Sequence, residues 1–201
     1  MIFGIGWHKT ATHSLQEALN VLGFQGVHYP YELYRCFARS SDDVRRYLAE
    51  HQSATDFPVP LYFKELDRLY SRAKFVLTIR EEQGWLASVE KHFYLMQVPR
   101  AEFGGVSEND YKIGQGLPIH EIHELAYGQK DFDAPLFLER YQRHNEEILA
   151  YFANRPDDLL VMDMSDGKEW RGLPSFLKVD TPQVSYPVKY RAVNRVAEVL
   201  S

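Results

Sequence analysis

The most constraining feature of this chain lies at its start, where a short apolar run ends in a glycine turn and a helical pattern follows. The run reads MIFGIG. Apolar residues then recur at helical spacing, at Leu15, Ala18, Leu19 and Leu22, and Gly23 ends this pattern. The order of strand, tight turn and helix predicts the first unit of an α/β fold.

Two later apolar runs continue this alternation. AKFVLTI at 73–79 and LLVMD at 159–163 are too apolar for half-exposed strands, so both are predicted in the interior of a parallel sheet. Helical patterns lie between and around them, at 41–51, 61–72, 81–96 and 133–155. We therefore predict a three-layer α/β domain, with a central parallel sheet flanked by helices on both faces.

Composition limits the number of domains and the classes of partner. The chain has 201 residues, of which 45% are hydrophobic, so we expect a single domain over 1–201. A net charge of -5 argues against a nucleic-acid partner. The single cysteine, Cys36, fits a reducing compartment, and no apolar run suits a membrane span or a signal peptide, so we expect a cytoplasmic protein without membrane contact.

One long segment lacks any clear periodicity. Residues from about 97 to 119 contain several glycines and two prolines, which is unusual inside a compact domain. We predict a binding loop or lid there.

The turn after the first strand has the chemistry of an anion site. It lies where a parallel sheet collects ligands, and the helix behind it offers unpaired N–H groups. Lys9 adds a charge, and Thr10 and Thr12 add hydroxyls. Yet the residue immediately before Lys9 is His8, where a Walker A loop needs glycine, and the third glycine of a dinucleotide fingerprint is absent. The turn predicts phosphate or sulfate binding without matching either motif.

The stretch WHKTATHSL resembles the 5′-phosphosulfate loop of the sulfotransferases, especially the bacterial type. In FVLTIREEQGWLASVEKHF, Arg80 and Ser88 stand eight residues apart, as do the family's two ligands of a 3′-phosphate. The resemblance implies a P-loop-type domain that binds 3′-phosphoadenosine 5′-phosphosulfate (PAPS) and releases adenosine 3′,5′-bisphosphate. The implied donor-binding residues are His8, Lys9, Thr10, Ala11, Thr12, His13, Ser14, Arg80 and Ser88.

The chain departs from the family pattern at two loop positions. Ala11 replaces the usual glycine, which is acceptable only if Ala11 adopts a right-handed conformation. His13 replaces a threonine that helps to hold the 5′-phosphate. For the segment that closes over the 3′-phosphate, the nearest basic pair is Lys189 and Arg191.

The resemblance also implies the catalytic roles. Lys9 would stabilise charge on the bridging and departing oxygens, and no metal is expected. Many family members carry a base in Thr-His-x-Pro, and the corresponding text here, ATDFPVP, makes Asp56 the candidate base. His8 is the alternative base. No motif spacing points to a catalytic role for the other histidines considered, His28, His92, His120 and His123. The acceptor would be a hydroxyl or amine of a small molecule or carbohydrate.

Two other functions stay open on sequence alone. A magnesium-dependent nucleotide kinase or hydrolase would place Thr10 on the metal and use Asp163, at the end of LLVMD, as its acidic residue. A binding module that kept the nucleotide loop but lost turnover would explain Ala11 and His13.

Overall fold

The strands of this computed structural model form one parallel sheet. The structure describes residues 1–97, 119–166, 168 and 170–188, with the side chains of 95–97 excepted, so the predicted lid lies almost wholly outside it. The sheet order is β2-β3-β1-β4-β5. The strands are β1 (Ile2–Gly4), β2 (Gly26–His28), β3 (Ser53–Thr55), β4 (Lys74–Ile79) and β5 (Leu159–Asp163).

Helices connect the strands and lie along the sheet. The described ranges contain α1 (Thr12–Val21), α2 (Leu33–Arg39), α3 (Ser41–Tyr47), α4 (Phe63–Leu69), α5 (Glu82–Gln97), α6 (Ile119–Tyr127), α7 (Ala134–Phe152) and α8 (Leu173–Leu177). Within those ranges, no helix combines the length and the apolar character that crossing a bilayer would require.

The sheet is buried on both faces because consecutive strand side chains point to opposite sides. Phe3, Phe75 and Leu77 pack into a cluster with α2, α3, α4 and α7. Ile2 and Val76 pack into a second cluster with α1 and α8. The predicted three-layer α/β architecture is thereby confirmed.

The prediction for LLVMD is correct about the strand and wrong about its place. Among the described residues, β5 pairs only with β4 and forms an edge of the sheet, where Val161 is 40% exposed. Its apolar composition reflects the packing of residues such as Met162 against α1 and α8. β2 and β3 have only three residues each, too few to give a recognisable periodicity.

The chain order creates a crevice at the carboxyl end of β1. β1 pairs with β3 on one side and with β4 on the other, so the connections diverge there, as at the ligand sites of open α/β sheets. An aromatic cluster, here called the aromatic cap, covers this end of the sheet. Its main members are Trp7, Phe57, Trp85, Phe93, Tyr127, Phe137 and Tyr141.

Candidate functional site

The turn after β1 is docked on β4. A Cβ atom added to Gly6 would lie 2.1 Å from Thr78 Oγ1 and 2.4 Å from the Thr78 carbonyl oxygen, so only glycine fits there. The hydroxyl of Thr10 donates to the Trp7 carbonyl at 2.6 Å and lies 2.7 Å from Thr78 Oγ1. Because its own proton goes to Trp7, the Thr10 hydroxyl accepts from Thr78. The Thr10 hydroxyl therefore holds the turn on the sheet.

The turn contains two left-handed residues immediately before α1. Lys9 has φ 65° and Ala11 has φ 64°, so the condition that Ala11 be right-handed is not met. Ala11 is the N-cap residue of α1, and no side chain caps the helix there. Left-handed residues in a turn direct backbone N–H groups into a shared concavity, and the helix dipole adds positive potential. This geometry suits an oxyanion.

The strain at Ala11 gives a stability prediction. A left-handed alanine costs about 1–2 kcal/mol, because its Cβ approaches the following carbonyl oxygen, and glycine avoids that cost at some loss of unfolded-chain entropy. We expect Ala11→Gly to raise the free energy of unfolding by about 0.5–1 kcal/mol in urea denaturation. The control Ala87→Gly, on the exposed side of α5, should lower the same free energy by about 1 kcal/mol. A loss of stability in both variants would contradict the strain at Ala11.

The carboxylate of Asp56 lies against the start of α1. Asp56 follows β3 directly, and this short strand, which the sequence did not reveal, brings it to the carboxyl end of the sheet. Thr12 donates its hydroxyl proton to Asp56 Oδ2 at 2.9 Å, and the Phe57 N–H donates to Oδ1 at 2.7 Å. His28 Nε2 is 3.3 Å from Oδ2. Burial lowers the pKa of His28, and Asp56 acts in the opposite direction.

The two remaining loop residues, His13 and Ser14, lie in the first turn of α1. His13 stacks on His28 with ring centroids 4.6 Å apart, and its Nε2 is 3.7 Å from Glu17 Oε1. Ser14 is buried in the first turn of α1. The loop residues from Lys9 to Ser14 thus lie together at the start of α1.

Arg80 and Ser88 lie at the neighbouring strand. Arg80 directly follows β4, and its side chain runs beside the start of α5, where a Cβ on Gly84 would be 3.5 Å from the guanidinium Nε and Nη2. Ser88 stands one helical turn beyond Gly84 and therefore on the same face of α5. A guanidinium and a hydroxyl on one face can converge on one phosphate.

Two buried aromatic residues connect the loop to Arg80. Trp85 donates its indole N–H to the His8 carbonyl at 3.0 Å and stacks on Tyr141 at 4.2 Å. The Tyr141 hydroxyl accepts from the Arg80 N–H and donates to the Arg80 carbonyl, both at 2.9 Å. Neither Trp85 nor Tyr141, which comes from α7, is among the residues that the sequence predicts for the site.

His8 is buried in the aromatic cap. Its Nε2 is 2.5 Å from the Tyr127 hydroxyl, and its ring stacks on Phe57 at 4.8 Å. Burial lowers the pKa of His8 well below its usual value, so the ring is neutral at pH 7. A neutral imidazole can accept a proton, but here one ring nitrogen is already hydrogen-bonded.

The residues of the kinase alternative do not come together. Asp163 ends the edge strand β5, opposite Ile79 of β4, and its Oδ1 accepts from the Ser165 N–H at 2.8 Å. The strand β4 separates it from β1, an offset of about 10 Å at the usual strand spacing. The Thr10 hydroxyl is buried against Thr78. This arrangement offers no shared magnesium site to Thr10 and Asp163.

Comparison with known families now decides the family. The model of the family described as "Sulfotransferase domain" matches residues 1–194. The chain belongs to this sulfotransferase family. The matched range includes the loop, Asp56, Arg80 and Ser88, the residues that carry the resemblance in the sequence.

A curated relative of the sulfotransferase is Ava biosynthesis cluster protein M from Aspergillus versicolor. The two are 24% identical over 169 residues, which cover 82% of this chain and 60% of the relative. The chain therefore spans less than two thirds of the length of this relative. Lys189 and Arg191, the basic pair predicted near the 3′-phosphate, lie outside the described residues.

Proposed function

We propose that this sulfotransferase moves a sulfuryl group from PAPS to a hydroxyl or amine of a small-molecule or carbohydrate acceptor, and that it does so in the cytoplasm. The observation that supports the proposal is that the loop and Arg80 follow adjacent strands of the sheet. The loop follows β1, Arg80 follows β4, and β1 pairs with β4. A nucleotide with a phosphate at each end of its ribose would bridge them.

The residues present fit such a donor. The 5′ end would lie on the concave turn at α1, where backbone N–H groups and Lys9 supply positive potential. The 3′-phosphate would lie between Arg80 and Ser88. Thr10 would act indirectly by holding the turn on β4, and Thr12 by fixing the position of Asp56.

The chemistry divides between two side chains. PAPS supplies an activated sulfuryl group, and the acceptor oxygen must lose a proton as it attacks. Lys9 would stabilise the negative charge that develops on the departing phosphate. Asp56 is nine-tenths buried and lies next to the loop. We assign to it the role of the general base that takes the proton from the acceptor. Its hydrogen bonds from Thr12 and Phe57 hold the carboxylate in one orientation.

Ligand titration tests this function. Calorimetry with adenosine 3′,5′-bisphosphate should show binding that EDTA leaves unchanged, because Lys9 and the loop amides need no metal to hold a 5′-phosphate. ATP with magnesium should bind much more weakly. The reverse preference would favour the kinase. Transfer from PAPS to a panel of phenols, alcohols, amines and sugars then separates an enzyme from a binding module.

Arg80→Ala gives a direct measure of the 3′-phosphate site. Loss of a charge-assisted hydrogen bond should weaken bisphosphate binding by more than about 1.5 kcal/mol. Arg72→Ala, an exposed arginine just before β4, is the matched control and should bind like the wild type. Calorimetry on folded Arg80→Ala that shows wild-type affinity would remove Arg80 from the donor site.

A further inference from the structure

Three histidines from separate parts of the chain meet beside Lys9. His8 comes from the loop, His92 from α5 and His123 from α6, and one ring nitrogen of each lies within 4.8 Å of the others. The ring centroids form a nearly equilateral triangle with sides of 5.5, 5.5 and 5.8 Å. Stacking on phenylalanine rings orients two of the three imidazoles, because His8 stacks on Phe57 and His123 stacks on Phe93.

The three rings are in the form that binds metal ions. Burial lowers the pKa of His92 and of His123 to about 3, and that of His8 well below its usual value. All three are therefore neutral at pH 7, and each keeps a lone pair on one ring nitrogen. A metal ion would not have to displace a proton from any of them.

One buried ring nitrogen in the cluster lacks a hydrogen-bond partner among the described residues. His123 is 1% exposed, and within the described part of the chain its Nδ1 has no hydrogen-bond partner. A buried polar atom without a partner costs free energy, and native structures rarely keep one without a reason. The ring of His8, by contrast, is fixed by the Tyr127 hydroxyl at 2.5 Å, an outer contact of the kind that orients histidine ligands.

We propose that His8, His92 and His123 form a three-histidine site for a divalent transition-metal ion, with Zn²⁺ as the expected occupant. Imidazole suits zinc rather than magnesium, which prefers oxygen ligands. Tetrahedral zinc with Zn–N distances of 2.0–2.1 Å needs ring nitrogens about 3.3 Å apart, so binding would draw the rings together. His92 is the least buried of the three rings.

The surrounding charge predicts the strength of the site. Three neutral ligands leave the charge of the ion uncompensated, and Lys9 lies close enough to oppose a positive charge on His8 and His92. Binding should therefore be weaker than at structural zinc sites with thiolate ligands. Three protein ligands would leave a fourth position for water, as in other three-ligand zinc sites.

Metal titration of the tag-free protein, stripped with EDTA and freed of chelator, tests the site. Zn²⁺ should bind with a stoichiometry of one, and Co²⁺ should give the strong visible absorption of a tetrahedral complex. His92→Ala and His123→Ala should each lower zinc affinity by at least about 100-fold, since loss of an outer-shell contact alone costs 10–100-fold. Mg²⁺ should not compete.

Two matched controls keep the result specific. His120→Ala removes an exposed histidine of the same helix as His123 and should bind zinc like the wild type. His28→Ala tests the stacked pair beside Asp56 and should also leave zinc affinity unchanged. The site is refuted if zinc fails to bind, or if folded His92→Ala and His123→Ala bind it normally. Bisphosphate titration without metal tests the donor site separately.

Discussion

Lys9→Met should abolish most sulfuryl transfer while leaving a folded protein that still binds adenosine 3′,5′-bisphosphate. Lys9 lies in the left-handed turn before α1, and methionine keeps a similar length without the charge. If Lys9 stabilises charge that develops only during transfer, turnover should fall by about 10²–10³-fold, the scale of one lost oxyanion donor. The loss of bisphosphate affinity should be much smaller, because the loop and helix N–H groups remain.

The comparison of turnover with donor affinity decides the role of Lys9. Steady-state rates with PAPS and calorimetry with the bisphosphate are measured on the same preparations. Lys130→Met, which removes an exposed lysine paired with Glu124, is the control and should match the wild type in both. If Lys9→Met instead weakens donor binding but leaves turnover at saturating donor unchanged, Lys9 only binds the donor.

Asp56→Asn should lower turnover by about 10²-fold or more at nearly constant donor affinity, because the amide keeps the shape of the carboxylate but cannot take a proton. The backbone should tolerate the change: Asp56 has φ 70°, and asparagine accepts this left-handed conformation as well as aspartate does. The amide oxygen can still accept from the Phe57 N–H, and the Thr12 hydroxyl can rotate to accept from the amide nitrogen.

Thr12→Val separates proton transfer from positioning at Asp56. This variant removes the 2.9 Å hydrogen bond to Asp56 Oδ2 and leaves the carboxylate in place. If Asp56 is the base, Thr12→Val should cost far less turnover than Asp56→Asn. Equal losses in the two variants would mean that Asp56 only orients the loop. Wild-type turnover in Asp56→Asn would make His8 the next candidate.

The parts of the site that lie close together in sequence could be predicted from the sequence. The apolar run, the glycine turn and the helical spacing that follow one another predict β1, the loop and α1. β4 and the helix after it, with Arg80 and Ser88, form a second local unit of the same kind. In each unit one strand and one helix determine where the side chains lie, so local patterns were sufficient.

The contacts that join distant segments could not be predicted. Asp56 reaches Thr12 through β3, whose three residues carry no periodic signal. His8, His92 and His123 are separated by more than thirty residues from one to the next, and only the packing of α5 and α6 brings them together. Ala11 shows a different limit of prediction from sequence. The departure from glycine is visible in the sequence, but the left-handed φ of Ala11 depends on the turn around it.

The contacts that run from His8 through Trp85 and Tyr141 to Arg80 link the position of the loop to that of the carboxyl end of β4. With Gly6 packed against Thr78, the spacing between the loop and Arg80 is set by buried residues. In the proposed function, this spacing would select donors by the distance between their two phosphate groups. Changing donor specificity by altering surface side chains at one end would leave the gap itself unchanged, so a donor of different span would require repacking the interior.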